Sequence, residues 1–215
     1  MNPSLTLTDV NRHTELSIFR VDLSREQVDG LCRTAIEKRY AAITMPSSMV
    51  GECAGRLEDS GVGLIAQIGF PHGLMHGDSK RFETELCVDD GAQEFEVVAN
   101  LRQLQNGDEA RFLRELRDIV EAAEGRHVRV ALKWSGLSDT QREHGARLVL
   151  DSGAHYLSTG LGFGEKPDDE KLIAQFQDWL GEKFWIKAAQ PLDDEGALIC
   201  LNAGAQRLGR VAVLS

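Results

Sequence analysis

FEVVANLRQLQNGDEARFLRELRDIVEAAEGRHVRVALKW, residues 95–134, holds one complete structural period of this chain. FEVVAN (95–100) and VRVALKW (128–134) are short runs rich in branched residues, with the composition of strands. Between them Phe112, Leu113, Leu116, Ile119, Val120 and Ala123 recur at the three-and-four spacing of one helical face. Strand, helix, strand in that order specifies a parallel pair, because a parallel connection needs a crossover long enough to hold a helix.

The same period extends in both directions. ELSIFR (15–20), YAAITM (40–45), GLIAQIG (63–69), HYLS (155–158), FWIKAA (184–189) and RLGRVAVL (207–214) bring the strand candidates to eight, separated by amphipathic stretches such as SREQVDGLCRTAIEKR (24–39) and DSKRFETELCVDDG (78–91). Ser24, with Glu26 and Gln27 behind it, and Ser138, with Asp139 in the first turn, read as helix N-caps, while Gly125, Gly153 and Gly204 fall where helices would stop. Apolar runs of this kind suit a sheet covered by helices on its outside, with both strand faces buried. A doubly wound open sheet shares the alternation, but no G-x-G-x-x-G follows the first strand. The pattern predicts an α/β fold: a (β/α)8 TIM barrel forming a single domain over 1–215.

A net charge of -10 over 215 residues disfavours nucleic acid and anionic membrane as partners, since both demand a basic face. No apolar run approaches the ~18 residues that span a bilayer, and the first residues lack the basic and apolar regions of a signal peptide, so a cytoplasmic location is expected. Cys32, Cys53, Cys87 and Cys200 are widely spaced and read as reduced, buried thiols. The histidines show no metal-ligand spacing, and neither a metal nor another cofactor is expected. His72, in the turn GFPHG, is a site candidate or a solvated turn residue.

A closed (β/α)8 barrel builds its active site at the carboxyl ends of its strands. Polar residues there include Glu15, Thr44, Gln67, Glu96, Lys133, Ser158, Thr159, Lys187 and Arg210. Lys187 sits inside the apolar run FWIKAA; a lysine pointing into a barrel must be paired or lose part of its basicity, the condition for a nucleophilic amine, whereas one pointing outward meets water. Glu96 is its natural counterpart, able to pair with the lysine and to move protons, or else solvated at a strand start. Lys133 raises the same question on the next strand, where strict alternation would place it on one face with Arg129, and where Trp134 offers it an aromatic ring.

The motifs also resemble those of the deoxyribose-phosphate aldolase family, collinearly from about Glu15 to Gly209. LIAQIGFPHG (64–73) is similar to the family's V-x-T-V-I-G-F-P-x-G, and GAQEFEVVANLRQLQNGDE (91–109) to its G-A-D-E-I-D-M-V-x-N-x-x-x-L-x-x-G. VRVALKWSGLSD (128–139) resembles K-V-I-L-E-T-x-x-L-T-D, and FWIKAAQPLDDEG (184–196) begins like V-K-A-S-G-G-I-R-T. The resemblance implies a cytoplasmic (β/α)8 enzyme of deoxyribonucleotide catabolism, a lyase that cleaves 2-deoxyribose 5-phosphate through a lysine Schiff base without metal. It places Glu96 at the proton-relay aspartate and Lys187 at the second active-site lysine, with Glu15 near the aspartate of the first strand.

AHYLSTGLGF (154–163) stands where the family has A-D-F-V-K-T-S-T-G-F: Thr159 and Gly162 keep their places, and Ser158 takes that of the Schiff-base lysine. A serine cannot form an imine, which requires a primary amine. The family's phosphate-cradling S-G-G-I corresponds to Ala189, Gln190, Pro191 and Leu192, with Arg210 in the last phosphate element as a charged replacement. Three readings follow. The chain is an aldolase that recruits Lys187 or Lys133 as its amine, an enolising or isomerising barrel enzyme built on Glu96 and Lys187, or a non-catalytic homologue that binds a metabolite. The expected partner is a small phosphorylated sugar or aldehyde bound through Glu15, Thr44, Thr159, Gly162 and Arg210, and a homodimer is compatible with the resemblance.

Overall fold

The computed structural model describes residues 7–20, 22–164, 168–181, 184–190 and 193–212. In chain order the elements are α1 (Leu7–His13), β1 (Thr14–Ser17), α2 (Arg25–Lys38), β2 (Ala42–Pro46), α3 (Val50–Leu57), β3 (Gly63–Ile68), α4 (Gly77–Asp89), β4 (Glu94–Val98), α5 (Leu101–Gln105), α6 (Glu109–Ala122), β5 (His127–Ala131), α7 (Asp139–Asp151), β6 (Tyr156–Ser158), α8 (Asp169–Leu180), β7 (Trp185–Ala188), α9 (Asp194–Asn202) and β8 (Arg207–Val211). Each strand pairs in parallel with the next and β8 closes on β1, so the alternation read from residues 95–134 becomes a closed (β/α)8 barrel.

The helix ends follow the sequence signals. Ser24 and Ser138 each form a full capping box, with Gln27 and Gln141 respectively, so the hydroxyl and the returning amide satisfy two backbone N–H groups at each helix start. All four cysteines are buried and none is joined in a disulfide among the described residues, and no helix among the described residues is long and apolar enough to cross a membrane.

The strands are shorter than their apolar runs, and their two faces differ. Phe95, Val97, Val128, Val130, Leu157, Ile186 and Leu208 point outward and are buried under the helices, where the hydrophobic core lies. The register pairs Gln67 with Glu96, Glu96 with Arg129, Arg129 with Tyr156, Ser158 with Lys187 and Ser17 with Thr44, and laterally paired residues share a face. These polar side chains therefore line the barrel interior, which corrects the expectation of two apolar faces. The run 128–134 also ends early as a strand, at Ala131, so alternation never reaches Lys133. Arg129 is inside the barrel and Lys133 is exposed beyond the strand.

A second polar device fixes the helix layer. Lys80 of α4 is fully buried, and its Nζ donates to Glu115 Oε1 of α6 at 2.5 Å and to the carbonyl of Val98, the last residue of β4, at 2.9 Å. Burial depresses the Lys80 pKa, and Glu115 opposes the shift. Removing one member of such a pair strands a charge, so Glu115→Ala is expected to cost about 3–5 kcal/mol in urea unfolding, while the double variant Lys80→Met/Glu115→Leu should recover most of the loss.

Candidate active site

Two carboxylates and two cations share the centre of the barrel. Arg129 Nη1 donates to Glu15 Oε1 at 2.6 Å and its Nε to Glu96 Oε2 at 2.8 Å. Lys187 Nζ lies 2.6 Å from the same Glu96 Oε2 and 3.1 Å from Glu15 Oε2, so β1, β4, β5 and β7 are joined by a ring of alternating charge. None of the four side chains is more than 5% exposed. Arg207 extends the ring toward the amino ends of the strands, 3.9 Å from Glu15 and 3.2 Å from Glu94. Gly209 makes room for it: a Cβ there would lie 2.4 Å from the Ala189 carbonyl and 3.1 Å from Lys187 Cε.

Burial alone would raise the Glu15 pKa, but Arg129, Lys187 and Arg207 together overcome it and hold the carboxyl at about 2. Burial likewise opposes the Arg129 charge and is outweighed by Glu15, Glu96 and Glu94, so its pKa rises. Beside the ring, Thr44 Oγ1 and both amide atoms of Gln67 are buried without a protein partner among the described residues.

The end of β6 is tightly organised. The Ser158 hydroxyl donates to the Gly160 carbonyl at 2.8 Å, and the Ser158 carbonyl accepts from the Trp134 indole at 2.8 Å. Thr159 donates to the Asp169 carboxylate of α8, and the Ala189 amide donates to Thr159 Oγ1 at 2.8 Å and to Asp169 Oδ1 at 3.1 Å, which locks β6, β7 and α8 together. Three phenylalanines from separate strand exits then meet: Phe19 after β1, Phe70 after β3 and Phe163 after β6, with ring centroids 5.0–5.7 Å apart. Because β6 lies across the ring from β1 and β3, this contact spans the barrel mouth. Gly162, at φ 79°, is required beneath it, since a Cβ would come within 2.9 Å of Phe19.

Beside the aromatic trio a cavity of about 470 Å³ opens at the carboxyl end of the barrel, lined by His72, Lys133, Trp134, Arg142, Thr159 and Lys171 among others. A second, largely apolar cavity of about 590 Å³ also borders Phe163, against Phe19, Leu23, Met49 and Phe70.

No family model matches the chain. It is 30% identical to the deoxyribose-phosphate aldolase of Bdellovibrio bacteriovorus over 93% of its own length and 91% of that protein's. It is 31% identical to that of Exiguobacterium sibiricum over 97% and 94%. The chain belongs to the deoxyribose-phosphate aldolase family. Its barrel superposes on a tetrameric deoxyribose phosphate aldolase from Aeropyrum pernix with a TM-score of 0.86, covering 95% of this chain and 88% of that one at 23% identity.

Within this aldolase scaffold the sequence candidates separate into groups. Glu15, Glu96 and Lys187 meet in the buried ring, and Thr44 faces the same interior. Ser158 and Thr159 end β6 with Gly162 just beyond, and Lys133 joins Thr159 at the open cavity. Arg210 is apart from both groups: it alternates with the inward Gly209, points to the helix layer and pairs with Asp194 of α9. Ala189 and Gln190 lie just past β7, while Pro191 and Leu192 fall outside the described residues.

The sequence sets Arg129 on one face with Lys133 and, by resemblance, at the lysine of the K-V-I-L-E-T motif, but assigns it no role, although it joins both carboxylates of the charge ring. The aromatic trio was not marked by the sequence either; its signal was a phenylalanine near the carboxyl end of three strand runs, in SIF, IGF and GLGF.

The depressed Glu15 pKa sets a pH dependence. Its folded value of about 2 lies below the ordinary 4.5, so its contribution is complete above pH 4.5 and is lost as the pH falls toward 2. A depression of this size is worth roughly 3 kcal/mol. Urea midpoints measured from pH 7 down to pH 2.5 should show this loss, and Glu15→Gln should be destabilised at pH 7 with a flatter acid limb.

Proposed function

We propose that this family member is an aldolase-type carbon–carbon lyase acting on a small phosphorylated sugar or aldehyde, and that its Schiff base forms on Lys133. The observation that carries this reading is accessibility. Of the residues nominated for the amine position, Ser158 has only a hydroxyl and Lys187 is buried against two carboxylates, whereas Lys133 lines the open cavity.

In the proposed reaction the Lys133 amine adds to the substrate carbonyl, and loss of water gives the iminium. Cleavage of the neighbouring carbon–carbon bond sends its electron pair into the iminium, a hydroxyl proton leaves to a base, and an aldehyde departs. Protonation of the resulting enamine and hydrolysis restore the amine. His72 lines the same cavity and is a suitable carrier for these protons. Glu96 and Lys187 lie in the buried ring, where their support for the chemistry is to hold β4 and β7 in register beneath the cavity.

A second reading, a non-catalytic metabolite-binding homologue, is favoured by the internal engagement of Ser158 with Gly160 and of Lys187 with Glu15 and Glu96. Borohydride trapping with acetaldehyde or deoxyribose 5-phosphate, read by intact mass and peptide mapping, separates the two. A single reduced adduct on Lys133, lost in Lys133→Met with turnover falling at least about 100-fold, is expected for the lyase. An adduct on Lys187 would move the amine to β7, and no adduct on any lysine would leave the binding reading.

A further inference from the structure

We infer that Arg142 and Lys171 form an anion subsite at the open cavity, one that takes the dianionic head of a small organic ligand on the β5, β6, α7 and α8 side of the barrel mouth. The inference deepens the proposed function by naming the groups that recognise the ligand, and it rests on that reading only in sharing its cavity.

Charge distribution is the first argument. Acidic residues outnumber lysine and arginine by 34 to 24 over the whole chain, yet three cations line this one cavity, with His72 as a fourth basic group. Asp168 is the sole carboxylate among the described lining residues, and its side chain is engaged as the N-cap of α8, accepting from the Lys171 amide. A concave site enriched in one sign of charge inside a chain of opposite net charge attracts a ligand of complementary charge.

Preorganisation is the second. Arg142 is held rather than splayed into solvent: its Nε donates to the Trp134 carbonyl at 3.2 Å, its Nη1 donates to Asp139 at 3.0 Å, and its side chain is only 18% exposed. A guanidinium fixed by such bonds loses less freedom on meeting a phosphate or carboxylate than a freely rotating lysine does. Trp134 is itself pinned through its indole to the Ser158 carbonyl, so the arginine is referenced to the end of β6.

Ligand class follows from the walls. Leu161, Phe163 and Leu172 supply apolar surface in the same cavity, and about 470 Å³ falls within the size range of small-molecule sites. The geometry suits a compact molecule with a dianion at one end, either a phosphate monoester or a dicarboxylate. Arg210, the residue that sequence comparison nominated for an anion, is paired with Asp194 on the outer side of β8.

Calorimetric titration of the full chain with inorganic phosphate and separately with malonate tests the subsite. Saturable, salt-sensitive binding is expected, weakened at least about tenfold in Lys171→Gln and in Arg142→Gln, and unchanged in Arg25→Gln, a remote exposed arginine. Tighter phosphate than malonate binding supports a phosphoryl ligand, and the reverse supports a dicarboxylate. Lys171 is exposed on the first turn of α8, so its variant keeps the test valid if Arg142→Gln unfolds. Binding that is indifferent to Lys171→Gln, or that is lost in Arg210→Gln and retained in Lys171→Gln, overturns the subsite. Trapping reads Lys133 independently. If it fails while phosphate binding still depends on Lys171, the imine reading falls and the subsite stands; if it succeeds while binding ignores Lys171, the reverse holds.

Discussion

The ring of Glu15, Arg129, Glu96 and Lys187 is the constraint around which the rest of the barrel is arranged, because none of these charges could be buried without the others. A carboxylate or an ammonium taken out of water loses several kcal/mol of solvation unless opposite charge and hydrogen bonds replace the lost water. Here each acid meets two cations and each cation two acids, drawn from four strands. Closure of the sheet is what brings β1 and β7 within reach of β4 and β5, so the electrostatics and the topology require one another.

That arrangement bears on the chemistry. The ring is charge-paired within itself and lies below an aromatic contact that spans the mouth, whereas the cavity beside it is lined by basic and apolar groups. The interior of the barrel thus supplies a buried charged floor, and the proposed chemistry is assigned to residues just past the strand ends. The family's fold survives in this chain while the group at the end of β6 is a serine whose hydroxyl bonds to its own turn. Barrels tolerate such a change at a strand end because strand-end loops can vary with little effect on the layers beneath.

Lys133 illustrates how the two levels differ. In the sequence it continues the apolar run that contains Arg129, and alternation by two would set both on one face. The strand stops at Ala131, and the chain turns so that the Trp134 indole can reach β6, which leaves Lys133 exposed at the cavity and Arg129 enclosed. Arg210 differs for a related reason: its neighbour Gly209 takes the inward position beside Lys187, so the arginine faces α9.

The sequence by itself determined the repeating strand–helix unit, the parallel order, the helix caps at Ser24 and Ser138, and the family, because each is written in local spacing or in collinear motifs. It also marked Glu96 and Lys187 as polar intrusions in apolar strands. Tertiary structure alone decided that these two meet Glu15 and Arg129 in one ring, that three separate phenylalanines close over it, and that Lys133 lines the open cavity. Those pairings join residues as far apart as Glu15 and Lys187, and they depend on which face each strand turns inward when the barrel closes. Inward and outward are properties of the closed sheet, which a period of two along one strand does not specify.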